Sequence, residues 1–294
     1  MTDLQDLKPP IPYFGGKQIL AKRIVALLPE HEHYVDPYCG SLAVFLAKPP
    51  SPHETVNDLD RNLVTFWRVL RDRTKDLERV CALTPHSEAE QEQANVREYP
   101  ADLDDLEVAR RVWVQLTQGR GAVASNTGFR HYTKPVGRTS MVDYLDGYLA
   151  RMEPAASRLR RATLRCRPAL EIIGEYGQHH EVLLFVDPPY LGSTRSSGGY
   201  RHEMRDPASH RALAKALHDT KSAVVVCGYP SDLYDQELYP GWNRHTIDTS
   251  TGQGGVLASR TEVLWSNRPL NARPSLFDLG NGEDFYIELL EEKP

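Results

Sequence analysis

The chain of 294 residues has only four cysteines, Cys39, Cys81, Cys166 and Cys227, which lie far apart and form no CxxC pair. That spacing excludes a disulfide-stapled scaffold and a structural zinc site, and a reduced chain is expected. Long apolar runs are missing too. The longest aliphatic stretches, Val182 to Val186 and Ala223 to Val226, fall far short of the ~20 residues a membrane span needs. The opening Met1-Thr2-Asp3 lacks the basic and apolar regions of a secretory leader. A cytoplasmic location with no membrane partner is therefore expected. No internal repeat or low-complexity tract is present. With 40% hydrophobic and 26% charged residues, the chain is neither a disordered tail nor a coiled-coil rod. Its length suits one large domain or two ordinary ones.

Positive charge is scarce overall, with a net charge of −5, yet it is concentrated. Residues 110–167 hold 12 Lys/Arg against three acids, and the remainder holds 23 basic against 37 acidic residues. A local basic face on an acidic body fits a polyanion, and equally fits a solvated helical face with scattered Arg.

The apolar pattern alternates between strand and helix periods. His33 to Asp36 and Thr55 to Asp58 read as short strands. Ile19, Leu20, Ile24, Leu27 and Leu28 recur at helical spacing, as do Leu42 to Leu46 and the run from Asn62. After residue 155, strands are expected at 162–167, 181–186, 222–227 and 260–265, the last near an antiparallel edge, with helices at 168–176 and 210–217. The alternation predicts an α/β fold, a parallel sheet with helices on both faces. Residues 71–155 break the rhythm. They favour helices, except for the glycine-rich Gln118-to-Gly137 stretch, which reads as a loop or β-hairpin. The expected organisation is a body made of 1–70 and 156–294, with 71–155 inserted.

Asp187-Pro188-Pro189-Tyr190 follows the apolar strand 181–186 directly. Ligands in open α/β sheets bind at the carboxyl ends of the strands. An ionised Asp only accepts hydrogen bonds, and the Pro188 carbonyl is a second acceptor on a backbone stiffened by proline. Two fixed acceptors suit an amino group with two N–H donors, and Tyr190 offers a face to a flat ring. Tyr13-Phe14-Gly15-Gly16-Lys17 combines aromatic faces, glycines that permit close backbone approach and a cation. Asp36-Pro37-Tyr38-Cys39-Gly40 sits at the first strand-to-helix turn. Asp58 follows Gly40 by 18 residues, the spacing of a ribose-binding acid, though it is also a candidate helix N-cap. His31, His33, His179 and His180 lack acids or cysteines at metal spacing and read as solvated loop residues, so no metal is expected.

In this order and spacing, the four segments resemble the Dam-type DNA adenine-N6 methyltransferases, the phage and bacterial family with FGG and DPPY motifs. Gly228 to Tyr234 and Arg260 to Trp265 are also similar to segments of its members. The resemblance covers nearly the whole chain and is loosest in the insert. It implies a Rossmann-like sheet that binds S-adenosylmethionine, with the insert as target-recognition domain. Tyr13, Phe14, Gly15, Gly16, Lys17, Asp36, Pro37, Gly40, Asp58 and Asp187 would form the cofactor site. Tyr13 would lie on the adenine, Lys17 near the polar end of the cofactor, and Asp58 on the ribose. Asp187 and the Pro188 carbonyl would take the target amine, with Pro189 stiffening the turn and Tyr190 stacking on a flipped base. Arg120, Asn126, Arg130, Lys134 and Arg138 would contact double-stranded DNA. The resemblance also implies a monomer in a bacterial or phage-infected cytoplasm, and leaves a cognate restriction enzyme open. The chain departs from the family pattern at Leu42, where a second glycine is usual, and at Pro168, where an Asp that contacts the cofactor adenine is common. A cytosine-N4 enzyme, which usually has Ser at the Asp187 position, stays an alternative. So does a catalytically weak DNA-binding protein of the same fold. A nicotinamide dehydrogenase would need a GxGxxG turn that the Tyr38-to-Ala43 segment lacks.

Overall fold

The computed structural model describes residues 7–124, 127–131, 140–194, 199–253 and 256–271. Its centre is a seven-stranded sheet. Five strands are parallel: β1 (His33–Asp36), β2 (His53–Asn57), β3 (Thr163–Arg165), β4 (Val182–Val186) and β5 (Ala223–Gly228). A long antiparallel pair, β6 (Asn243–Gln253) and β7 (Val256–Ser266), completes it in the order β3-β2-β1-β4-β5-β7-β6. The chain direction across the sheet reverses between β1 and β4, which pair His33 with Val182. A crevice opens at the carboxyl ends there, the usual ligand position in such sheets.

Period-2 alternation fills both faces. Leu183 and Phe185 of β4, with Val225 and Cys227 of β5, belong to one apolar cluster. Val182, Leu184 and Val186, with Val224 and Val226, belong to the other. A sheet buried on both sides needs such continuous apolar strands. Helices α1 (Ala21–Leu27), α2 (Ala43–Ala47) and α3 (Arg61–Asp72) contribute Ile24, Phe45 and Phe66 to the first face. Helices α9 (Ala169–Tyr176) and α10 (Pro207–His218) contribute Ile172, Ile173, Leu213 and Leu217 to the second.

The expected 71–155 segment folds as α4 (Thr74–Ala82), α5 (Glu88–Ala94), α6 (Asp105–Gln118), α7 (Met141–Leu149) and the start of α8 (Met152–Leu159). Trp113 of α6 and Leu77 of α4 share one apolar cluster with Phe66 and Trp67 of α3. Packing is thus continuous across residue 70, and α8 runs through residue 155. The glycine-rich stretch makes a tight 3₁₀ turn at Arg120–Ala122 and one antiparallel bridge, Gly119 to Phe129.

The structure corrects four readings of the sequence. The edge strand β6 was not expected; it pairs on the outer side of β7, so Arg260–Trp265 lies one strand in from the antiparallel edge, near it as expected. The β6 sequence Asn-Arg-His-Thr-Ile-Asp is polar apart from the buried Ile247, so it carries little strand signal. Ile19 is 82% exposed and precedes α1 instead of lying on its apolar face. Part of the basic block is neutralised internally: Arg110 pairs with Glu90 and Glu107, Arg158 with Glu54, Arg165 with Glu175, and Arg167 with Glu171. Charge counted along the chain therefore overstated the local surface field. His31 and His33 are built into the sheet margin and bond to Ser51 and Thr55. Among the described residues no helix is long and apolar enough to cross a membrane.

Candidate active site

Three strand-end turns and one N-terminal loop converge on a cavity of about 350 Å³. Its walls include Tyr13, Phe14, Gly15, Gly16 and Lys17, then Asp36, Pro37 and Gly40, then Asp58, Asp187 and Pro189. The structure therefore brings together every expected cofactor residue. Pro188 is buried between two lining residues.

Each turn is built for close approach. Gly40 has φ +45°, and a Cβ there would stand 3.1 Å from Cε1 of Tyr13. Its carbonyl accepts from the indole Nε1 of the buried Trp67 at 3.0 Å. Its N–H donates to Asp58 Oδ2 at 3.0 Å, and the Asp60 N–H donates to Asp58 Oδ1 at 2.9 Å. Asp58 is thus locked at the end of β2 and faces the first turn. The helix cap is Asp60, whose Oδ1 accepts from Asn62 and Leu63. Asn57 ties the ends of β1, β2 and β3 together: its amide donates to the Pro37 and Arg167 carbonyls, and its oxygen accepts from the Arg167 N–H.

Leu42 occupies the place where a second glycine was expected, and its φ is +60°. The backbone still makes the left-handed turn that a glycine would make without strain. The side chain, 1% exposed, is anchored in the core. Pro168 lines the cavity beside Ala169 and Leu170, an apolar wall in place of a polar contact.

Acidic groups dominate the electrostatics. Burial lifts Asp58 to about 6. Burial, then the neighbouring Asp187, raise Asp36 well above the usual carboxylate range. The Asp36 carboxylate accepts from Tyr34 Oη and the Tyr38 N–H, both at 3.2 Å. Lys17 is the buried cation among them. Burial alone would lower it, but Asp187 and Glu262 outweigh that and hold it above the ordinary lysine range. Its Nζ lies 2.8 Å from Asp187 Oδ1 and 3.8 Å from Glu262 Oε1, and bonds to the Gly15 carbonyl.

Tyr190 is brought to the same place but does not line the cavity. Its ring lies under Lys17, 4.8 Å from centroid to Nζ, and edge-on to Tyr229 at 4.7 Å. Its hydroxyl contacts Asp187 Oδ1 at 3.1 Å and Glu262. Aromatic side chains that line the cavity include Tyr13, Phe14 and Tyr200, which pack against one another, and Tyr38 and Phe185.

Sequence reasoning assigned no role to Tyr200, Arg201 or Glu262. A segment from Gly199 to Met204 crosses the cavity. A Cβ on Gly15 would strike the Tyr200 hydroxyl at 2.1 Å, so this contact requires the glycine. Arg201 pairs with Asp60 at 3.0 Å and donates to the carbonyls of Val96 and Ala124. Nothing in the local sequence marks that pairing, because its partners lie 141, 105 and 77 residues away. Glu262 lies within the Arg260–Trp265 segment quoted for its resemblance, which was a usable signal.

Of the expected DNA contacts, Arg120 and Arg130 flank the Gly119–Phe129 bridge. Arg130 bonds the Tyr144 hydroxyl and covers its ring, and Arg120 donates to the Phe129 carbonyl. Asn126, Lys134 and Arg138 lie outside the described residues.

Comparison with known proteins agrees with this geometry. The chain is similar to a "Type II methyltransferase M1.LlaDCHI" of Lactococcus lactis subsp. cremoris, 26% identical over 284 residues, which covers 89% of this chain and 96% of the relative. The model of the D12 class N6 adenine-specific DNA methyltransferases matches residues 13–249, from the first aromatic of the site to the β6 strand. With the match spanning most of the chain, the protein belongs to that family and methylates the N6 position of adenine in DNA.

Proposed function

We propose that the methyl donor is S-adenosylmethionine, held in the cavity between Tyr13, Gly40 and Asp58. The observation that carries this is the Gly40–Asp58 unit. A glycine turn admits a ligand closely, and a carboxylate held by two backbone N–H groups faces it. Asp36, Asp58 and Asp187 line one cavity, which suits a cofactor bearing a sulfonium and an ammonium. The apolar wall of Pro168, Ala169 and Leu170 suits a flat ring. S-adenosylmethionine supplies a methyl group on a good leaving group. Lys17 works on the target side, since its charge is spent on Asp187 and Glu262.

The chain's own contribution is positioning. Adenine N6 is a weak nucleophile because its lone pair is delocalised into the ring. Asp187 and the Pro188 carbonyl accept hydrogen bonds from its two N–H groups, which favours a more tetrahedral nitrogen aligned for in-line transfer, and one N6 proton is released through Asp187 to solvent once the methyl is gained. The base must leave the duplex to reach them, at a cost of a few kcal/mol. Tyr190 then supplies a stacking surface once its ring is clear of Lys17. The 71–155 segment acts as the target-recognition domain, with Arg120 and Arg130 toward DNA. Residues Asn126, Lys134 and Arg138 complete that set. The protein acts as a monomer on DNA.

The test is Asp187→Ala. The variant should still bind S-adenosylmethionine in a titration, weakened by the loss of one of the three cavity acids, and show no methyl transfer to DNA even at saturating cofactor. Transfer at the wild-type rate would reject the amine-acceptor role.

A further inference from the structure

Asp187 does not stand alone at the end of β4. Its Oδ1 faces two donors, Lys17 Nζ at 2.8 Å and Tyr190 Oη at 3.1 Å. Glu262 of β7, 4% exposed, faces the same two groups from the other side. Cys227 of β5 closes the box, and one ligand atom from each of Asp187, Cys227 and Glu262 lies within 4.8 Å of the others. The box holds two carboxylates and one ammonium.

Proton counting decides how they share donors. A tyrosine hydroxyl carries one proton, so Tyr190 can donate to Asp187 or to Glu262 but not to both. Both acceptors are within reach of the one hydroxyl. With the Tyr190 proton on Glu262, Lys17 is the donor left to Asp187 among the described residues, and Asp187 keeps lone pairs for the target amine. With Glu262 neutral, the same proton turns to Asp187, and Lys17 has no second counter-charge. Both changes occupy Asp187 and weaken it as an acceptor.

We propose that Glu262 is a positioning residue of the methyl-transfer reaction, which draws the Tyr190 proton and part of the Lys17 charge away from Asp187 so that Asp187 stays open to the amine. This rests on the reading of Asp187 as the amine acceptor. It assigns a function to a buried acid on the antiparallel strand, far in sequence from the DPPY segment.

The experiment compares single-turnover methylation of unmethylated DNA, at saturating S-adenosylmethionine, for wild type, Glu262→Gln, the double variant Glu262→Gln/Tyr190→Phe, and Asp187→Asn. Cofactor affinity and melting temperature are measured for each. Glu262→Gln should slow transfer roughly ten- to a hundredfold while cofactor affinity stays within about twofold. Adding Tyr190→Phe removes the misdirected proton and keeps the ring, so the double variant should be faster than Glu262→Gln alone. A purely structural role for Glu262 would instead make the double variant equal or worse, and that outcome overturns the proposal. So does a wild-type rate for Glu262→Gln, or a loss of cofactor affinity that accounts for its slow rate. If Glu262→Gln fails to fold, Glu262→Leu takes its place, with the same order expected. Asp187→Asn separates the two levels. If it is inactive while Glu262→Gln is normal, only the Glu262 proposal fails. If Asp187→Asn is active, the amine-acceptor reading fails as well.

Discussion

At the scale of single residues, the site gathers acids that water would keep apart. Asp58 is the clearest case. Burial pushes it up to about 6, and two backbone N–H bonds from Gly40 and Asp60 pull it back only in part. Its ionised form is the better acceptor for ribose hydroxyls. Cofactor affinity should therefore hold above about pH 6 and fall as pH drops through that value, because the protonated carboxyl loses acceptor capacity. A titration of S-adenosylmethionine binding from pH 8 to pH 5 checks this. Affinity that rises toward acid pH would contradict the role given to Asp58. Asp58 was legible in the sequence because its distance from Gly40 and its place after a short strand are both local. Its alternative role as a helix cap was settled only by geometry, since Asp60, two residues on, does that work. The Tyr190–Glu262–Lys17 box was not legible, because Lys17, Tyr190 and Glu262 come from three distant parts of the chain.

At the scale of elements, the two departures from the family pattern have different outcomes. Leu42 keeps the left-handed turn with a side chain that costs roughly 1–2 kcal/mol of backbone strain but is buried in the core. Removing the side chain costs about 2–5 kcal/mol, so burial outweighs strain and Leu42→Ala should destabilise. Leu42→Gly loses slightly more burial but releases the strain. It should be no less stable than Leu42→Ala in chemical denaturation, against the usual order. A Gly variant clearly weaker than the Ala variant would show that the turn is unstrained. A second element-scale test lies under the sheet. Glu54 of β2 holds Lys48 after α2 at 2.7 Å and Arg158 of α8 at 2.5 Å, and all three are buried. Glu54→Gln leaves two buried cations without a counter-charge and should cost roughly 3–5 kcal/mol in denaturant midpoint experiments. An unchanged midpoint would mean that water reaches the cluster. The strands β4 and β5 were readable because burial on both faces demands unbroken apolar runs, and β1 and β2 as short Tyr/Val/Thr stretches that end at an acid or just before one. Strand β6 was not, because an edge strand needs only one buried position.

At the scale of the whole molecule, the order β3-β2-β1-β4-β5-β7-β6 puts Asp58, the glycine turn and the DPPY segment at one end of the sheet. Alternation of strands and helices predicted that arrangement, since parallel strands need crossover helices. It did not predict how closely the 71–155 segment would pack. Trp113 sits in the same core as Phe66 and Trp67, and Arg201 reaches from the cavity to the carbonyls of Val96 and Ala124. The Phe14 N–H donates to the Ala122 carbonyl at 2.9 Å as well. The cofactor loop and the proposed recognition segment are therefore mechanically joined. The charge argument for DNA lost weight once several of its arginines were found in internal pairs, while the site geometry and the family gained it.

The central claim is transfer of a methyl group from S-adenosylmethionine to adenine N6 through Asp187. The most direct test is incubation of wild type and Asp187→Asn with unmethylated DNA and tritiated S-adenosylmethionine, followed by digestion and nucleoside separation. The account predicts label in N6-methyladenine for the wild type and none for the variant. Label in N4-methylcytosine, or equal label from both proteins, would contradict it.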